Sequence, residues 1–471
     1  MAVVGEFADQ ADLLVIGGGP GGYVAALHAA RLGREVTLVE RAGTAGLGGA
    51  CLHVGCIPSK ALIELADGAH RTRALAPAGL DVDGVAVSLD RFQAWRDELC
   101  AGLAGGVAGL LARAGVRVLH GEARFNRPDH VAVHTPDDRA EFLAFRHAVV
   151  ATGSRPAALP GLPFDGLRVL DSTGALALTA VPETLAVVGG GYIGLELGTA
   201  FAKLGARVTV VEALDRVLPS VDRALAAPVL RRLAALGVDV RLDTRAEGLD
   251  AGGLVVRGPD GVAHIAAERV LVAVGRVPNT DDLGLAAAGV PTGPGGLIDV
   301  GPDRRATDRI AAIGDVVAGP ALAHKASAEA AVAADALSGR AAAFDPLAIP
   351  VVAFTDPEVA STGLTEAQAR AAGLDVRVAA YPLTASGRAG TLRARDGFTR
   401  VVADAATDRI VGVHLAGPHA SELIAGGTLA VELLAAPGDL AGTIHPHPTI
   451  SEGLREAAES LVRSTRPAAS A

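Results

Sequence analysis

The chain carries one folding pattern twice. Residues 13–40 read LLVIGGGPGGYVAALHAARLGREVTLVE, and residues 185–212 read LAVVGGGYIGLELGTAFAKLGARVTVVE. They align without a gap at an offset of 172, from Leu13 to Leu185. Each has an apolar strand-like run, the spacing Gly-x-Gly-x-x-Gly, a helical stretch, Leu-Gly and a second apolar run closed by Glu. The glycines are Gly17, Gly19 and Gly22, then Gly189, Gly191 and Gly194. Glu40 and Glu212 each stand 21 residues past the middle glycine (19 to 40, 191 to 212). The first glycine permits a tight turn, and the second lets backbone approach a pyrophosphate. The third lets the helix pack on the strand with its N-terminus facing the anion. The closing acid accepts hydrogen bonds from a ribose diol, and a carboxylate there repels a 2′-phosphate, so Glu212 favours NAD over NADP. Two tight turns without ligands are the plain alternative. Against it, both copies have the preceding strand and following helix that the motif requires. The expectation is an α/β chain with two dinucleotide sites.

A chain of 471 residues should hold three or four domains, at about 100–200 residues each. A net charge of −10 gives no basic face for nucleic acid. No long apolar run is free of charges or Gly/Pro breaks, so no membrane span is expected. The N-terminal MAVVGEFADQADLLVIGGGP lacks a basic segment and reads as a first strand, not a signal peptide. Three cysteines in the chain suit a reducing cytoplasm. The tail RSTRPAASA reads as disordered. Two echoes, VVATGSRP (149–156) with Gly153 and LVAVGRVPN (271–279) with Gly275, read as crossovers into and out of the second unit. The layout is then 1–150, 151–275, a return segment 276–347 and an α+β remainder 348–471. A helix near 91–114 should bury Cys100.

The other two cysteines lie together in GGACLHVGCIPSK, residues 48–60. Zinc would want four ligands, and no second cysteine pair exists. Two unrelated buried thiols are the commoner arrangement in general, but a Gly-rich turn between nucleotide signals favours a redox dithiol of Cys51 and Cys56. CIPSKALIEL reads as a helix with Pro58 in its first turn. Cys56 then sits at a helix N-terminus, where the partial positive charge stabilises a thiolate, and Lys60 adds a cation. Two further sites stay open between readings. Asp315, at the end of RIAAIGDVV, suits a sugar or ribityl hydroxyl, or caps the next helix. In HPHPTISE, Glu452 closes a capping box with Thr449, or holds His447 as a general base.

Together these segments make the chain similar to the class I pyridine nucleotide-disulfide oxidoreductases along essentially its whole length. GGACLHVGCIPSKAL resembles the family's active-site signature, and AIGDV its second FAD motif. ALAHKAS, TDPEVASTGLT, AGPHASELI and HPHPTISE resemble its dihydrolipoamide dehydrogenase branch. The resemblance implies FAD and NAD as cofactors, with residues 1–150 and 276–347 forming the FAD domain and 151–275 the NAD domain. Gly17, Gly19, Gly22, Glu40, Gly153 and Asp315 become FAD contacts with Lys60 near the flavin. Gly189, Gly191, Gly194 and Glu212 become NAD contacts, and Gly275 is expected to bind cofactor. Cys51 is implied as the interchange thiol, Cys56 as the thiol against the flavin, and Glu196 as the partner of Lys60. His447, held by Glu452, is implied as the base serving the disulfide of the other subunit of a homodimer built through 348–471. Lipoyl domains of a 2-oxo acid dehydrogenase complex are the implied partner, on another chain. An NAD(P)H-dependent reductase of another small disulfide is the alternative. His53, Ala311 and Ala330 depart from the family's usual residues without removing a reacting group.

Overall fold

The computed structural model describes residues 9–465. The first apolar run forms strand Asp9–Ile16, which pairs in parallel with Val36–Glu40 on one side and Ala140–Val150 on the other. Val36–Glu40 continues the sheet to Arg117–His120. Leu13, Leu14 and Val15 are all fully buried, so the C-terminal half of this strand is continuously apolar and not alternating, as a strand covered on both faces must be. One cover is a pair of helices, Pro20–Arg31 and Ala323–Leu337. They meet through Ala25, Ala26, Ala29, Ala330, Ala333 and Ala334, side chains small enough for close approach. Ala330 thus lies in the core of the sheet–helix layer. Strand Ile310–Ala312 pairs in parallel with Ala140–Val150. That register brings the Asp315 loop to the same carboxyl-end edge as the Gly17 loop, where open α/β sheets bind ligands.

The second copy builds its own sheet. Strand Thr184–Val188 lies between Arg207–Val211 and Arg269–Val272, all parallel, with Asp239–Arg241 and Val169–Leu170 outermost. The two echoes meet: Ser154–Pro156 and Arg276–Pro278 pair antiparallel as a two-stranded ribbon. Residues 351–416 contribute a five-stranded antiparallel sheet. Helices Ala420–Glu432 and Glu452–Thr465 cover it through Ile424, Val431, Leu454, Ala457 and Leu461. The class is therefore α/β with two parallel-sheet dinucleotide units, followed by an α+β unit.

Some details differ from the sequence reading. Antiparallel strands Glu122–Arg127 and His130–His134 extend the first sheet, and a three-stranded meander spans Arg245–Ile265; neither was anticipated. The helix expected near 91–114 runs Leu89–Arg113, with Cys100 buried on it. Arg463–Thr465 of the supposed disordered tail belong to the last helix. The rest of that tail, residues 466–471, and the first eight residues lie outside the described residues. Among the described residues no helix is long and apolar enough to cross a membrane.

Candidate active site

The glycine loops separate into positions the chain itself requires and positions it leaves open. Gly17 has φ +101°, a left-handed conformation that favours glycine. A Cβ there would lie 2.5 Å from the Ala151 carbonyl oxygen, and one on Gly22 would lie 1.8 Å from that of Gly17. On Gly19 it would meet nothing nearer than Gly49 Cα, at 4.0 Å. The second copy repeats this. A Cβ would lie 2.4 Å from Ala273 O on Gly189 and 2.1 Å from Gly189 O on Gly194, and on Gly191 it would have nothing within 4 Å. The outer glycines serve the fold. The middle ones leave open backbone at a helix N-terminus, which fits close approach of a pyrophosphate.

The two closing acids are held alike. Glu40 accepts the Gly18 N–H at 2.6 Å and the Ala42 N–H at 3.3 Å. Glu212 accepts the Gly190 N–H at 2.6 Å and the Leu214 N–H at 2.8 Å. These amides orient each carboxylate and leave lone pairs for ribose hydroxyls.

A cleft of about 1060 Å³ runs from Gly17, Gly19 and Glu40 to Cys51, Cys56 and Lys60. That is the upper end of small-molecule sites, about 300–1,000 Å³, and suits a ligand the size of FAD. Gly153, Asp315 and Glu196 also line it; Gly22, Gly189, Gly191, Gly194, Glu212 and Gly275 do not. The second glycine loop still abuts the cleft, because Tyr192 and Ile193, in the first turn of helix Tyr192–Leu204, face it. Asp315 accepts a hydrogen bond from Ser154 Oγ at 2.5 Å, and Ser154 Oγ accepts one from Arg276 Nε at 2.7 Å. The next helix begins at Ala323, so Asp315 does not cap it and that alternative falls.

Cys51 sits on the short helix Gly49–Val54, and Cys56 opens helix Cys56–Ala74. Both are free thiols here. They are unequal. The hydrogen bond donated by Cys51 outweighs burial and, with the charge of Lys60, pulls Cys56 down to about 7. The same contact, with burial, pushes Cys51 up. Lys60 Nζ lies 2.7 Å from Glu196 Oε2 and 4.4 Å from the centre of the Phe354 ring. The other Glu196 oxygen accepts the Phe354 N–H at 2.9 Å. Buried Glu196 therefore fixes Lys60 beside the thiols. Burial pushes Tyr192 up to about 12, leaving it a neutral hydroxyl.

Glu452 contacts both residues offered for it, His447 and Thr449, but makes only half of the capping box. Its Oε1 lies 2.8 Å from His447 Nδ1, and its Oε2 accepts the Thr449 N–H at 2.9 Å. Thr449 Oγ1 donates to Pro446 O instead of completing the box. The Thr449 amide, then His447, hold the Glu452 carboxyl below its usual range. His447 is 80% exposed and does not line the cleft of its own chain's cysteines. Sequence reasoning missed Ser154, Arg276, Tyr192 and Phe354. Arg276 stood in the VGRVPN echo, but Phe354 lies 158 residues from Glu196 with no local signal.

Comparison with known proteins follows the same lines. Residues 11–330 match the family model for pyridine nucleotide-disulphide oxidoreductases, and residues 349–458 that for the dimerisation domain of the same group. Dihydrolipoyl dehydrogenase 2 of Haloarcula marismortui is 48% identical, over 97% of this chain and 98% of its own. Dihydrolipoyl dehydrogenase of Geobacillus stearothermophilus is 45% identical, over 97% of each. Among solved structures, LpdA of Mycobacterium tuberculosis superposes with TM-score 0.88 at 29% identity, over 96% of this chain and 100% of that one. The HOCl-induced flavoprotein disulfide reductase RclA of Escherichia coli gives 0.84 at 28%, over 95% and 99%.

Proposed function

This chain belongs to the pyridine nucleotide-disulphide oxidoreductase family, and we propose on that premise that it oxidises dihydrolipoamide to lipoamide with NAD⁺ as final acceptor. The observation that carries the reading is the unequal thiol pair at one end of a dinucleotide-sized cleft. Near-full-length dihydrolipoyl dehydrogenase relatives support it.

FAD fits the first glycine loop, Glu40, Gly153 and Asp315, and NAD fits the second loop with Glu212. In the oxidised enzyme Cys51 and Cys56 form a disulfide. A substrate thiol gives its proton to His447, whose orientation and basicity Glu452 maintains. The substrate thiolate attacks Cys51 Sγ. The Cys51–Cys56 bond breaks, and Cys56 leaves as a thiolate favoured by Lys60. The second substrate thiol then displaces Cys51, which takes up a proton, and the substrate departs as a disulfide. Bound FAD supplies the remaining chemistry, taking the electron pair from the dithiol and delivering it as hydride to NAD⁺.

His447 is exposed and away from its own cleft, and Leu433 and Ile444 of the same domain are exposed, Ile444 by 94%. These features support a homodimer in which each His447 serves the partner's thiols. The substrate is carried by lipoyl domains of a 2-oxo acid dehydrogenase complex in the cytoplasm. The test mixes purified protein with reduced lipoamide and NAD⁺. NADH should form, and should not form with Cys51→Ser. No NADH, with NADPH-driven reduction of another small disulfide instead, rejects the assignment.

A further inference from the structure

A buried ion pair lies directly behind Asp315, and the reaction above makes no use of it. Lys325 and Glu329 are one turn apart on helix Ala323–Leu337, with side chains 1% and 0% exposed. Burying two charges is costly and does not by itself stabilise a fold. Both side chains hold one residue, Gly314. Glu329 Oε2 accepts the Gly314 N–H at 2.8 Å, and Lys325 Nζ donates to the Gly314 carbonyl at 2.9 Å. The two charged groups lie 3.2 Å apart. Arg304 donates to the other Glu329 oxygen at 3.0 Å, so the carboxylate has two cations. Gly314 has φ +78°, a left-handed geometry that glycine adopts at the cost of large conformational freedom when unfolded. Gripped at both polar groups, it has one conformation, and the next residue is Asp315.

We propose that Lys325 and Glu329 are positioning residues for FAD, clamping the Gly314 peptide so that Asp315 is aimed into the cleft before the cofactor arrives. The inference rests on reading Asp315 as a cofactor contact. A pre-set carboxylate loses no freedom on binding, so the clamp should appear as cofactor affinity. Without it, Gly314 keeps only the Val317 N–H on its carbonyl and Asp315 only the Ser154 hydrogen bond, so more of the ordering falls to the cofactor.

The experiment measures FAD release from holoenzyme by the fluorescence of free FAD on dilution, beside thermal unfolding in saturating FAD. Lys325→Met removes one jaw while leaving Glu329 paired with Arg304. Lys325→Met/Glu329→Leu removes both jaws and replaces the pair with apolar volume. Both should hold FAD at least about tenfold more weakly, about 1.4 kcal/mol. Lys325→Met, which keeps the Glu329–Arg304 pair, should unfold nearer the wild-type temperature than the double variant, which leaves Arg304 without its carboxylate. Asp315→Ala should weaken FAD at least as much. Wild-type FAD retention in either clamp variant, with Asp315→Ala weak, overturns the clamp alone. Wild-type retention in Asp315→Ala overturns the underlying reading as well.

Discussion

Cys56 is an acid tuned by its neighbours, and the order of their effects is testable. The hydrogen bond from Cys51 contributes most to lowering it, and the charge of Lys60 adds to this. Its thiolate in the reduced protein should therefore grow as pH rises through about 7. Cys51→Ser keeps a donor and should leave the midpoint nearly in place. Cys51→Ala should move it up toward the ordinary thiol value of about 8.5, and Lys60→Met should move it the same way by less. Thiolate absorbance against pH reads this, and an unshifted midpoint in Cys51→Ala contradicts the account. At this scale the sequence was informative wherever chemistry was local. Cys51, Cys56 and Lys60 lie within ten residues, and a helix N-terminus was readable from Pro58. Phe354 was not legible, because nothing in PVVAFTDPE announces that its amide and ring will meet Glu196 and Lys60.

The strand–loop–helix element shows how one motif divides its labour. Gly194→Ala would set a Cβ 2.1 Å from a backbone oxygen that cannot move aside, whereas Gly191→Ala meets nothing. The first should destabilise the protein by about 1–3 kcal/mol, as overpacking does. The second should cost less, roughly 1 kcal/mol or under, because alanine is a poorer N-cap than glycine but displaces no atom. It should still weaken NADH binding tenfold or more by filling the approach to the pyrophosphate. Equal stability losses in the two variants would remove the distinction drawn between them. The parallel strands were legible as continuous apolar runs because both faces are covered. Glu122–Arg127 was overlooked although its burial alternates from residue to residue. A short half-exposed strand carries few residues per face, and its pairing with His130–His134 is what makes it a strand.

Across the whole molecule, the thiol helix is tied to its surroundings by a second ionic contact that repeats the spacing of the first. Lys60–Glu196 and Asp67–Lys203 each advance seven residues along helices Cys56–Ala74 and Tyr192–Leu204. Lys203 also lies 2.7 Å from Asp356, which takes Arg232 Nε at 2.8 Å. Both sheet units and the C-terminal unit thus share one buried cation, 4% exposed. Lys203→Met leaves Asp67 and Asp356 without it and should cost about 3 kcal/mol, the lower end for broken buried pairs, because both carboxylates keep some water. Burial alone would raise the Asp356 carboxyl, but Lys203 and Arg232 together hold it below its usual value. The stability this confers is present above the unfolded carboxyl pKa of about 3.9 and is lost as pH falls through the lower folded value. Acid unfolding should therefore depend less steeply on pH in Lys203→Met. An unchanged acid limb and an unchanged unfolding temperature would show that the cluster does not bind the units together.

By itself the sequence determined the two dinucleotide units, the dithiol and the acid at the end of each second strand. Those features depend on spacing along one short stretch of chain, where backbone geometry follows directly from residue type. The family resemblance already implied Glu196 on Lys60 and Glu452 on His447. Only the tertiary structure added the Phe354 N–H to Glu196, put His447 and Thr449 on one Glu452 at once, and closed Lys325 and Glu329 on Gly314. It also left His447 exposed and outside the lining of its own chain's cleft. The contacts of Glu196 join residues more than a hundred positions apart. The packing of whole sheets and helices brings such residues together, and no local pattern of residues encodes that packing.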